Sequence, residues 1–341
     1  MQKGVTKLTA ANLAPADTKC LAIYDGNKKV GEIDCSKMLL PSDIGTKQYS
    51  FGLLSDIHCC AANNTEYSAN GTKFHNALSF FENQGCSFCC VSGDLTNIGL
   101  YAEGDKENIY PYQFNEFKRV CDLHSNLEIY PICGNHESYV NPITQNLEEL
   151  QYYTGNGLTY TISQGNDLFV FVGQFTGSVP MSDDSFLWLE TTLEANRHKR
   201  CFVFIHSYVD ARDSGNPSGL HHEPLFTYWG ATKANAFINL MKGHPNAILF
   251  HGHSHMNFEN QFVVKNANYS TALGFKSVHI PATAYTRNVS TGVIVQDPDG
   301  QQGYVCDVYE NHIVLKGYDF QRNTDVPIAQ YCIDTTIKAV D

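Results

Sequence analysis

The sequence predicts an α/β fold built around a largely parallel sheet, and three observations predict it. Apolar runs rich in Val, Ile and aromatics recur at 51–54, 88–91, 129–133, 201–205 and 247–250, the pattern of strands buried on both faces. Polar or amphipathic stretches long enough for crossover helices separate them. Each run also stops on residues able to bind a metal ion: Asp56-Ile-His58, Asp94, Asn135-His136-Glu137, His206 and His251-Gly-His253-Ser-His255. Ligands of such sheets sit beyond the carboxyl ends of the strands, so these distant residues are expected to converge.

Residues 1–48 form a small β-rich appendage, and residues 49–341 the main domain. In the appendage Cys20-Leu-Ala-Ile-Tyr24 and Val30-Gly-Glu-Ile-Asp34 are two short strands joined by the turn Asp25-Gly26-Asn27. The segment holds no catalytic residue and is offered as an attachment for a protein partner. Ala61–Thr72 is polar and Asn-rich, a loop over the site. Phe74–Asn83 is a helix, and so is Asn115–His124, with Phe117, Val120 and Cys121 on one face. Phe169–Val172 is a further buried strand. Ser185–Asn196 is an amphipathic helix with Phe186, Leu187, Leu189 and Leu193 at helical spacing. Ser207–Gly230 contains Gly and Pro and has the length of a lid. Ala234–Lys242 is helical, and strands return at Val278–Ile280 and Gly292–Val295. Gly303–Tyr309 and His312–Tyr318, parted by Glu310-Asn311, form a C-terminal antiparallel hairpin.

Hydrophobic residues at 43% and charged residues at 17% of 341 suit a globular chain with a sizeable core. No apolar run approaches the ~18 residues of a membrane span. Met1-Gln-Lys-Gly-Val-Thr-Lys7 has no apolar stretch behind its lysines, so no signal peptide is expected and a cytoplasmic location is. Several of the twelve cysteines sit inside strands, where a thiol acts as a small hydrophobe. Strand alternation makes a shared metal or redox role for Cys86 and Cys89 awkward, and reduced thiols are expected. A net charge of −12 disfavours duplex nucleic acid, which needs a basic face. The same field repels a phosphate substrate, unless two divalent ions outweigh two site carboxylates and leave the pocket locally positive.

Carboxylate and imidazole donors suit Mn, Fe, Zn or Mg, and thiolates are missing from all five motifs. Asp56 and His58, like His253 and His255, lie two apart and so on one side of an extended chain. With Asp94, Asn135 and His206 these make seven candidate ligands, too many for one tetrahedral ion and suited to two sharing a carboxylate. Such a pair activates a bridging water and clamps both oxygens of an in-line displacement. His136, beside a ligand, is placed to protonate the leaving group.

These blocks, in this order and at these spacings, resemble the five signature motifs of the calcineurin-like metallophosphoesterase superfamily over roughly residues 49–320. The resemblance implies a four-layer α/β/β/α sandwich of two mixed sheets. It implies that Asp56, His58 and His255 hold one ion, that Asn135, His206 and His253 hold the other, and that Asp94 bridges them. It makes His136 the group that contacts the scissile phosphate. Many members carry an acidic residue three positions after the bridging Asp, often followed by Arg. Asn97-Ile98 stands there instead, which removes the expected support of His136 and argues against the protein serine/threonine phosphatase branch.

The function so implied is a binuclear metal-dependent phosphoesterase, cleaving a small phosphate mono- or diester by attack of a metal-bridging hydroxide. The alternative is a weak or inactive relative serving as a binding or structural module, phage- or envelope-associated for example, which the charge, Asn97 and the appendage favour. Taken singly, Asp56 is as well explained as a helix cap, Asn135 as a turn residue and His206 as a core histidine. His251 is expected to support its neighbours without ligating. Arg212, His221, His222 and Arg287 are within reach of a phosphate, but solvated surface is the plainer reading of each. Tyr139 is placed to line the pocket, and most other aromatics belong to the core.

Overall fold

The architecture follows from how the apolar runs divide their side chains. In the computed structural model the described residues are 20–25, 28–34, 41, 44–97, 103–138, 151–209, 229–259, 268–290 and 293–337. Strands β3 (Lys47–Leu54), β4 (Phe88–Val91), β7 (Asp167–Val172), β8 (Cys201–Phe204) and β9 (Ala247–His251) carry the runs. Phe51, Leu53, Phe88, Cys90, Phe169, Phe171, Phe202, Phe204, Ile248 and Phe250 all point into one cluster. Their alternate neighbours, such as Leu54, Val91, Val170 and Val203, point the other way, into two further clusters shared with helices. Aromatic faces thus meet at the centre and aliphatic faces turn outward, which requires two sheets packed face to face.

The first sheet has the order β16-β15-β14-β3-β4-β5, adding β5 (Glu128–Pro131), β14 (Gln302–Tyr309), β15 (His312–Asp319) and β16 (Thr324–Asp334). β3, β4 and β5 run parallel, and β14 to β16 are antiparallel. The second has the order β10-β11-β9-β8-β7-β6, with β6 (Thr159–Gln164), β10 (Tyr269–Ser270) and β11 (Lys276–His279). Its centre is parallel and its edges antiparallel. The single largely parallel sheet read from the runs is therefore two mixed sheets. Two-stranded ribbons add β1 (Cys20–Asp25) with β2 (Lys28–Asp34), and β12 (Thr286–Ser290) with β13 (Val293–Asp297).

Helices α1 (Ala69–Asn83) and α2 (Glu103–Leu123) cover the first sheet through Phe74, Phe81, Phe114 and Phe117. Helices α3 (Asp183–Ala195) and α4 (Ala231–Lys242) cover the second through Leu189, Leu193, Phe237 and Met241. These are the four layers. α1 starts inside the stretch read as a loop, because the Ser68 hydroxyl accepts from Gly71 N at 3.0 Å and caps it. α3 is capped by Ser182, not Ser185: the Ser182 hydroxyl accepts from Ser185 N at 3.0 Å, and Asp183 and Asp184 complement the helix dipole. α2 runs through Pro111, well before the expected Asn115.

The two sheets are pinned at the edge where β7 and β3 begin. Arg200 donates to both Asp167 oxygens, at 2.9 and 2.6 Å, and Tyr49 in the first sheet donates to Asp167 at 2.6 Å. Arg200 also reaches Tyr309 O and the Thr335 hydroxyl. The ten cysteines from Cys59 to Cys332 are free, and burial pushes Cys86 and Cys201 up to about 12, so they behave as packing groups. Among the described residues no helix is long and apolar enough to cross a membrane.

Phe169 sits at the centre of the inter-sheet cluster, 4.5 Å from Phe202 and 5.1–5.2 Å from Phe88 and Phe51 between ring centroids. Phe169→Ala is expected to cost about 3–5 kcal/mol. Urea unfolding checks this: the midpoint should fall at unchanged slope, and a loss under ~1 kcal/mol would show that the sheets do not pack through this ring.

Candidate metal centre

Both sheets deliver their parallel strand ends to one place. β3 is followed by Asp56 and His58, β4 by Asp94, and β5 by Asn135 and His136. From the opposite sheet, β8 leads to His206 and β9 to His253 and His255. Asp56, His58, Asp94 and His255 form one group whose potential donor atoms all lie within 4.8 Å of one another, and Asp94, His206 and His253 form a second. Asp94 belongs to both. Asn135 joins the second group, its Oδ1 2.8 Å from His206 Nε2. All seven predicted ligands are thus brought together, and each is at most 4% exposed.

The backbone is bent to achieve this. Asp56, His58, Asp94, His253 and His255 have φ between 48° and 71°, the left-handed region that non-glycine residues avoid. Among the described residues only one other non-glycine, Asn323, does so. Such conformations cost of order 1–3 kcal/mol each and persist where the surroundings impose them, as at functional sites. Two glycines clear the space: a Cβ on Gly134 would lie 2.1 Å from Asp94 Oδ1, and one on Gly252 would lie 2.6 Å from Asp56 Oδ2.

Hydrogen bonds orient the donors. His206 Nδ1 lies 2.7 Å from Ser92 O and His255 Nδ1 lies 3.2 Å from Tyr285 O, so each donates there and turns Nε2 inward, where a bound ion would displace any proton. Asp94 Oδ1 accepts from His136 N, and Asp56 Oδ2 from His253 N, both at 3.0 Å. Facing nitrogens stand close: His58 Nε2 is 3.2 Å from His255 Nε2, and His253 Nδ1 is 3.2 Å from His206 Nε2.

Two buried carboxylates need positive charge nearby. Among the described residues no Lys or Arg is within ion-pair distance of Asp56 or Asp94; their neighbours are His255, His206, His58 and His136. Burial works to raise both carboxyls, and the imidazoles hold them well below the usual range. Burial lowers His206, yet Asp94 and Asp56 carry it up to about 9; burial and His206 push His253 down to about 3. His58 Nδ1 is buried without a hydrogen-bond partner among the described residues, and Asp56 Oδ1 faces His255 Nε2 at 3.0 Å. Converging donor atoms and two buried carboxylates with no Lys or Arg partner among the described residues fit divalent cations, and the carboxylate–imidazole–amide donor set fits borderline or hard ones.

His136 is 8% exposed, its ring edge-on to His58 at 4.5 Å and its Nε2 3.8 Å from Asp94 Oδ2. Asn97 supplies no carboxylate; its backbone N donates to Gln113 Oε1 at 2.8 Å. The buried acid here is Glu137, which accepts from Thr96 N and hydroxyl and from Gly134 N, tying the β4 and β5 loops together. Burial, then the Asp94 charge, raises its carboxyl to about 7. Glu137 stood in the sequence motif, but nothing local told its role. His251 is buried and outside both donor groups, 3.2 Å from the Ser277 hydroxyl. Arg287 is not solvated surface: it is 6% exposed. Tyr139, Arg212, His221 and His222 lie outside the described residues.

Comparison with known proteins identifies the family and the fold. A family model described as calcineurin-like phosphoesterase matches residues 49–257. No curated protein sequence matches the chain. A dimetal phosphatase from Danio rerio superposes with a TM-score of 0.59 at 14% identity, over 85% of this chain and 100% of that one. A purple acid phosphatase from yellow lupin (Lupinus luteus) seeds gives 0.54 at 13% identity, over 85% and 54%. PhoD gives 0.52 at 11% identity, over 86% and 72%. At these identities the likeness is one of fold.

Gly134→Ala is expected to displace Asp94 and weaken divalent binding by about tenfold or more, in the range of losses for groups that orient ligands. Metal content after dialysis against limiting Mn, read by elemental analysis, checks this. Stripping wild type with a chelator should lower its melting temperature, since a ligand of the folded state stabilises it. A melting temperature indifferent to chelation and to added metal would show that no ion is held.

Proposed function

The chain belongs to the calcineurin-like phosphoesterases, and from that premise we propose that it hydrolyses a small phosphate ester with two divalent ions held between its sheets. The observation that carries this reading is the pair of donor groups sharing Asp94. Asp56, His58, His255 and Asp94 would hold one ion; Asp94, Asn135, His206 and His253 would hold the other. When bound, the ions would supply Lewis acidity at the phosphate and lower the pKa of a water between them.

The protein's own groups account for the rest. Ser92 O and Tyr285 O fix His206 and His255 in the tautomer that leaves Nε2 available. The His136 and His253 N–H groups hold the two carboxylates in place. His136 Nε2 is the donor we assign to the departing oxygen, because it borders the Asp94 carboxylate and retains exposure that its ligand neighbours lack. Mono- and diesters are both admitted by this chemistry, and manganese is the first ion to try.

Hydrolysis of aryl phosphate mono- and diesters with added Mn tests the reading. Asp94→Asn should abolish turnover, and turnover unchanged in that variant rejects the proposal. His136→Ala should lose about 10²–10⁴-fold on phenyl esters, the weight of general acid catalysis. On p-nitrophenyl esters, whose leaving group needs little protonation, its loss should be much smaller. Equal losses on both would remove the proton-donor role.

A further inference from the structure

Arg287 is a buried cation, 6% exposed, with no carboxylate in contact among the described residues. Among the described residues its Nη1 is buried without a hydrogen-bond partner, and its side-chain hydrogen bond is a long one, Nη2 to the Tyr285 hydroxyl at 3.5 Å. A guanidinium cannot shed its proton to escape such a position, so the arrangement calls for an anion.

Its place is next to the metal centre. The Arg287 N–H donates to His255 O at 2.7 Å, and its own carbonyl accepts from Asn257 N at 2.8 Å, so the backbone is anchored on the ligand loop. The guanidinium lies over the Tyr285 ring, 5.3 Å from its centroid. That ring in turn lies 4.4 Å from the His255 ring and 5.6 Å from that of His58. Tyr285 thus neighbours both Arg287 and two proposed ligands. The other buried cation of this wall, Lys73, is committed to Ala284 O and Pro298 O. Among the described residues Arg287 has donors to spare, and five N–H groups in a planar fork match phosphate oxygens.

We infer that Arg287 binds the phosphate group of substrate and product at the rim of the metal centre, with Tyr285 as the platform that sets its orientation. The inference rests on the phosphoesterase reading for its ligand, an oxyanion of phosphorus. It also explains how a chain of net charge −12 receives an anion: the ions and Arg287 make the mouth locally positive.

Inorganic phosphate is the probe, with Mn-loaded wild type, Arg287→Ala and Arg287→Lys compared by calorimetry at equal metal content. Arg287→Ala should bind phosphate about ten- to a hundredfold more weakly, the weight of a lost charge-assisted hydrogen bond. Arg287→Lys should recover part of that loss, and neither variant should change metal content. Phosphate affinity within about twofold of wild type in Arg287→Ala would overturn the inference. Should the alanine variant not fold, the Arg287 side-chain N–H resonances of wild type, assigned by their loss in Arg287→Lys, decide. They should shift on phosphate titration, and no shift at saturation overturns the inference. Phosphate binding is read without turnover, so a chain that binds phosphate through Arg287 but hydrolyses nothing would sink the phosphoesterase proposal and leave this one standing.

Discussion

The Asp94 carboxylate is the constraint from which the rest of the site follows. It lies in both donor groups, is 1% exposed, and has another buried carboxylate, Asp56, nearby. A charge so placed is tolerated only with close compensation and full hydrogen bonding. The His136 N–H and the His206 and His58 imidazoles provide part of it. Holding Asp94 there demands a left-handed backbone at φ 52°, a preceding Gly93 at φ 91°, and a Gly134 with no Cβ to collide with it. Glu137 then staples the Asp94 loop to the Asn135 loop through Thr96 and Gly134.

Because the candidate ligands come from both sheets, the sheets must be locked in one relative position at their carboxyl ends. The contacts that lock them are made by the ligand segments themselves. Ser92 O receives His206 Nδ1, the Ser92 hydroxyl donates to Ile205 O, and Asp56 O accepts from Ala284 N. A one-residue slip in any strand would turn its Phe outward and its terminal ligand away together. The aromatic core between the sheets and the convergence of the ligands are therefore the same constraint, met at different depths.

Much of this was legible in the sequence because burial and chemistry mark the same positions. The runs from Phe51, Phe88, Cys201 and Ala247 are apolar on both faces and end on their ligands, so strand and site could be read together. What escaped reading depends on partners remote in sequence. β6 and β16 are half-exposed and mix polar with apolar residues, so neither shows the continuous run of a central strand. α2 crosses Pro111, which locally argues against a helix, and is held by Phe114 and Phe117 packing on the sheet. Arg287 is paired through its backbone with Met256 and with Gln296 of β13, partners no local pattern announces. The left-handed conformations of five ligands are invisible for the same reason: Asp and His tolerate many backbones, and only the assembled loops choose one.

Those five strained residues oppose folding, and their placement explains how the fold accommodates them. Strain of order 1–3 kcal/mol at each would together rival the whole stability of a typical domain if nothing offset it. The offset lies beside and opposite the site. Beneath the ligand loops, rings such as Phe51, Phe169, Phe202 and Phe250 are wholly buried, each contributing about 1.5–3 kcal/mol. At the far edge Arg200, Asp167 and Tyr49 clamp one sheet to the other. The ends that carry the ligands are left to satisfy geometry while the body supplies cohesion. Cations in the two donor groups would relieve the lone-pair and carboxylate repulsion that remains, so ion binding and folding would draw on the same free energy.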